Sequence, residues 1–74
     1  MQIFGVTEST RTVNGRIINE WRTPAQSESL ARRQAKANSR VKHGRRGEVE
    51  SIERVGSGSL PGQKMYLVEV STQR

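Results

Sequence analysis

SLARRQAKANSRVKHGRRG, residues Ser29 to Gly47, holds seven Lys or Arg and no Asp or Glu. Read at about 100° per residue, Leu30, Gln34, Ala37 and Val41 share a sector of about 60°, a narrow stripe suited to burial. Arg32, Arg33, Lys36 and Arg40 share a sector of about 100° that turns away from that stripe. The pattern predicts one helix that seats itself with one side and presents cations with the other. Gly44 ends it, and the cations Lys42, Arg45 and Arg46 beside that end suit the negative pole of the helix dipole.

Upstream, Gln2 to Val13 and Arg16 to Trp21 are rich in β-branched and aromatic residues. Asn14-Gly15 between them is the sequence of a two-residue type I′ turn, so the two runs form a hairpin. With that turn as the loop, Val13 faces Arg16, Thr12 faces Ile17 and Glu8 faces Trp21, which groups Phe4, Val6, Ile17 and Trp21 on a core face. Ile3 and Ile18 fall on the opposite face. Either a bulge near Gly5 shifts the phase or the second face is also partly covered. Thr23-Pro24-Ala25-Gln26 has the form of a capping box, with Thr23 as N-cap and Pro24 in the first helical position; Ser27 is a later alternative start.

Downstream, Glu48 to Val55 returns to strand composition, and Val49 and Ile52 are out of phase by one, the mark of a bulge or an edge. Gly56 to Gln63 reads as a flexible hairpin loop, and Met65 to Thr72, the most apolar run, as a central strand. The whole is ββαββ: a single α+β domain over residues 1–74, with one helix on one face of a four-stranded, mainly antiparallel sheet.

Seventy-four residues bury a core of modest size, and hydrophobic residues make up 31% of the chain, so a second copy or a partner would add useful stability. The absence of cysteine excludes disulfides and thiolate zinc sites. No apolar run reaches the length of a membrane span, which points to a cytoplasmic protein with no membrane partner. The net charge of +6 belongs to the Ser29–Gly47 segment, because six basic and seven acidic residues lie outside it. A local patch of one sign suits a polyanion.

Catalysis needs a positioned acid, base, nucleophile or metal, and the chain has one His, no Cys and no Asp, so an enzyme is not expected and no cofactor is implied. His43 lies among cations that disfavour its protonation. Glu48, Glu50 and Glu53 read as an edge-protecting row. Phe4, Trp21 and Tyr66 are needed by the core, which leaves little for base stacking. The remaining chemistry is phosphate contact. Arg32, Arg33, Lys36, Arg40, Lys42, Arg45 and Arg46 are the candidate residues for a nucleic acid or nucleoprotein partner.

The basic segment Ser29-Leu30-Ala31-Arg32-Arg33-Gln34-Ala35, followed by Gly47-Glu48-Val49-Glu50-Ser51-Ile52-Glu53, resembles the helix-and-strand arrangement of small phage proteins, among them the anti-CRISPR inhibitors of type I-F surveillance complexes. The resemblance spans about a third of the chain and assigns no residue a role. It implies a phage-encoded, non-enzymatic protein, cytoplasmic in its host, that blocks a nucleoprotein complex. The competing expectation is an interaction module, a homodimer or sheet-edge binder, whose basic face is incidental.

Overall fold

The computed structural model describes residues 6–73 and has the expected ββαββ order: β1 Val6–Val13, β2 Arg16–Ala25, α1 Glu28–His43, β3 Gly47–Ser57 and β4 Lys64–Gln73. The four strands form one sheet in the order β1-β2-β4-β3, with every neighbouring pair antiparallel. The most apolar strand, β4, thus lies inside the sheet between β2 and β3. Helix α1 carries the chain across β4 to the far edge and packs against β2, β4 and β3 on one face.

The hairpin turn falls on Asn14-Gly15, both with positive φ, and Val13 pairs with Arg16 as expected. At its far end the register differs from the expected one. A bulge between Thr7 and Ser9 sets Thr7, not Glu8, opposite Trp21. Phe4 and Gly5 lie outside the described residues. Ile18, on the face away from the helix, is nearly buried, so that second face is partly covered. The phase slip in β3 is a bulge between Val49 and Ser51, and a second one follows between Arg54 and Gly56.

Helix α1 starts later than the capping box suggests. Thr23, Pro24 and Ala25 pair with Tyr66, Met65 and Lys64 and finish β2, because this strand needs those residues to match the length of β4. Ser27 is the N-cap; its side chain accepts the amide hydrogen of Leu30, and Gly44 closes the other end in the left-handed region at φ 69°. The loop expected to be flexible is instead a built turn. Gly58 N donates to the Gln63 carbonyl and Gln63 N to the Leu60 carbonyl, around Pro61 and a Gly62 at φ 78°.

The buried stripe of α1 is the main correction to the sequence reading. Ala31, Ala35, Asn38 and Ser39 are buried, whereas Leu30 is 46% exposed, Ala37 is exposed and Val41 is half-buried. The helix is turned by about 100°, one residue, from the expected setting. Two needs explain the turn. Trp21 fills the space below the helix, so small residues must stand above it for the helix to approach the sheet. Its indole N–H must also find an acceptor, and Ser39 Oγ supplies one at 2.7 Å. Leu30 and Val41 carry more apolar surface but offer neither feature. The resulting core joins Trp21, Ala25, Ala31, Ala35, Tyr66, Val68 and Val70, with Val49 and Ile52 packed at its margin.

Candidate nucleic-acid interface

Turning α1 by one residue leaves Ser29, Arg33, Lys36 and Arg40 on the ridge opposite the core, and all four are exposed. Beside this ridge, where the helix overhangs the edge strand β3, two open grooves adjoin. The first, of about 500 Å³, is lined by Ser29, Arg32, Arg33, Lys36, Glu48 and Val49. The second, of about 390 Å³, is lined by Lys36, Ala37, Arg40, Arg46 and Gly47. Lys36 belongs to both, so they form one track between α1 and β3. Five of the seven residues singled out in the sequence line it: Arg32, Arg33, Lys36, Arg40 and Arg46.

The other two stand elsewhere. Lys42 Nζ lies over the Trp21 ring, 5.8 Å from its centroid, on the core side of the helix. Arg45 sits exposed in the turn between α1 and β3, where it has an interaction of its own. Within the track, Arg32 bonds Glu28 at 3.1 Å, the one helical pairing expected from the spacing. Among the described residues no ion pair holds Arg33, Lys36, Arg40 or Arg46.

The track's floor depends on Gly47. A Cβ there would strike the Val70 side chain and the Ser71 carbonyl, so glycine is what lets β3 close onto β4 directly after the basic turn. Of the five lining residues outside the predicted site, Ala37, Gly47 and Val49 carry no polar side chain, whereas Ser29 and Glu48 do. Among the described residues Glu48 is the one acid lining the track, and its place at the strand's start, next to Gly47, was the available signal. Glu50 turns elsewhere: the bulge sends its carboxylate to accept from Ser71 Oγ.

At the C-terminal end of α1, His43 Nε2 meets Asn19 Oδ1 at 2.6 Å, and Asn19 Nδ2 donates to Thr10 Oγ1 at 2.7 Å. Partial burial and then the Lys42 charge lower the His43 pKa, which favours the neutral ring donating from Nε2. This chain ties the helix end to β2 and β1 and so fixes the direction in which the ridge points. Among the described residues no three His, Asp or Glu side chains stand close enough to hold a metal ion, and no helix is long and apolar enough to cross a membrane.

The track therefore offers a row of cations, one hydroxyl, the single carboxylate of Glu48 and a small apolar floor, a composition in which cations outnumber the acid and can hold anionic oxygens at several points along a line. Compared with known proteins, the chain matches no family model, no curated protein and no solved structure.

Proposed function

We propose that this is a non-catalytic binding protein that engages nucleic acid, free or within a nucleoprotein complex, through the track between α1 and β3. The observation that carries this reading is the concentration of cations that have no ion pair among the described residues, Arg33, Lys36, Arg40 and Arg46, along two adjoining grooves. Holding like charges together costs folding energy through self-repulsion, and a polyanion relieves it. Several phosphates contacted at once would give affinity through released counterions.

In its sharpest form the partner is a nucleoprotein surveillance complex, as the resemblance to small phage anti-CRISPR proteins suggests, and the protein acts in the host cytoplasm by covering a surface that nucleic acid or a subunit must reach. The rival reading, a module that pairs through its sheet edge, is weaker at β3. That edge carries two bulges together with Glu48, Glu50 and Glu53, the features that discourage strand addition.

The test is capture on immobilised protein from bacterial lysate, with and without nuclease. Nucleic acid or a nucleic-acid-containing complex should be retained at low salt and released as ionic strength rises. Retention of a protein partner that is free of nucleic acid and indifferent to both salt and nuclease would contradict the proposal and favour the edge-pairing module.

A further inference from the structure

We infer that the polyanion preferred by the track is a nucleic-acid duplex, gripped by its backbone without regard to sequence, rather than a single strand. This rests on the phosphate-contact reading and goes further by naming the form of the ligand.

Sites for single strands depend on bases stacked upon exposed aromatic rings. The aromatic residues among those described, Trp21 and Tyr66, are 1% and 7% exposed and face the core, far from use as platforms. The track's floor is made instead by Ala37, Gly47 and Val49, which have no ring to offer. A strand with splayed bases would gain only its phosphate contacts there.

Base reading in a duplex groove needs side chains that present fixed donors and acceptors. The two amide residues of the helix are turned away from this work. Gln34 Nε2 donates to Asn38 Oδ1 at 2.9 Å, and Asn38 is buried. Arg33 and Arg40, which could address guanine, have no carboxylate among the described residues to hold their guanidinium groups in a bidentate pose. Arginines on an exposed ridge without such a partner find phosphates more readily than base edges.

Charge density favours the same ligand. Arg33 to Arg40 spans about 10 Å along the helix axis, with Lys36 between them, so the cations form a short fixed row. A duplex presents one charge per roughly 1.7 Å of axis and releases about 0.9 counterion per contact, against about 0.7 for a single strand. A row of cations set at helical spacing thus gains more from each phosphate of a duplex.

Fluorescence anisotropy of labelled oligonucleotides tests this: two duplexes of unrelated sequence, each as DNA and as RNA, and the corresponding single strands, all near 0.1 M salt. The duplexes of the better-bound sugar should agree within about threefold, and single strands should bind at least about tenfold more weakly. Arg33→Glu with Arg40→Glu should remove the duplex advantage while the emission of the one tryptophan, Trp21, stays that of the folded protein. Single strands bound as well as duplexes, or two duplexes differing by more than tenfold, would overturn this inference and leave the phosphate reading in place. Failure of every oligonucleotide to bind would overturn both.

Discussion

The two sides of this molecule use arginine in opposite ways. On the sheet face away from the helix, Arg11 bridges Glu20 at 3.2 Å and Glu69 at 2.9 Å, and Arg16 bonds Ser71 Oγ at 3.0 Å while Ser71 donates to Glu50. The cations there are built into a polar lattice that lies across all four strands. On the helix side, Arg33, Lys36, Arg40 and Arg46 stand in a row with no ion pair among the described residues. Total charge therefore does not separate the two sides, whereas the absence of ion pairs among the described residues does.

The sharpest break between the two sides should appear in binding. Reversing Arg33 and Arg40 to Glu removes two contacts, which at 0.15 M salt corresponds to a loss of roughly thirtyfold in duplex affinity before the added repulsion is counted. Changing Arg11 and Arg16 to Gln should leave binding within about twofold, because those side chains lie on the other face. Equal losses from the two pairs would erase the distinction.

Stability should show the reverse dependence. Ser39→Ala leaves the buried Trp21 indole N–H without its acceptor and should cost about 1–3 kcal/mol in denaturant unfolding. Ala35→Leu inserts bulk where the helix lies on the sheet, at a similar cost of about 1–3 kcal/mol. The same change at the exposed Ala37, on the track's floor, should be close to neutral for folding.

A smaller effect is expected from pH. The His43 pKa is lowered below its ordinary value near 6.5, so the unfolded chain binds more protons over the interval between the two. Stability is full above pH 6.5 and falls as pH drops through the lowered value. Glu69, hydrogen-bonded by Arg11, is likewise held below the ordinary carboxylate value, and its contribution fades only at more acidic pH. Replacing His43 by Gln should flatten the upper part of this profile in thermal melts, while Arg11→Gln should alter only the acid limb. The smallest change expected is a gain: Glu48→Gln removes the one acid that borders the track among the described residues and should tighten duplex binding about two- to threefold.

Much of the fold was legible in sequence because local chemistry was unambiguous. Asn14-Gly15 needed positive φ, Gly44 needed the left-handed region, and Val49 against Ile52 marked a bulge or an edge, of which β3 has both. What misled was hydrophobicity counted without shape. Leu30 and Val41 were the apolar choices for the helix stripe, but a tryptophan on the facing strand demanded Ala31, Ala35 and a hydroxyl at Ser39. The capping box at Thr23 failed for a related reason: strand length was set by pairing with β4, which no local pattern reveals.

The one-residue turn leaves Arg32, Arg33, Lys36 and Arg40 exposed because they are spread around the outer half of the helix. Arg33, Lys36 and Arg40 point outward in either setting. Lys42 was lost to Trp21 once the helix turned, and Arg45 stayed in the loop outside the track. That β3 would supply the second wall, with Arg46 on one side of Gly47 and Glu48 on the other, depended on strand order and was invisible in one dimension.

The most direct measurement is the salt dependence of duplex binding by the unaltered protein and by the Arg33→Glu, Arg40→Glu variant. Four phosphate contacts, through Arg33, Lys36, Arg40 and Arg46, should give log affinity falling against log salt with a slope of about −3.6, and the variant should fall with a slope of about −1.8. A slope near zero for the unaltered protein, or the same slope and affinity for both, would mean that the row of cations is only a solvated helix face.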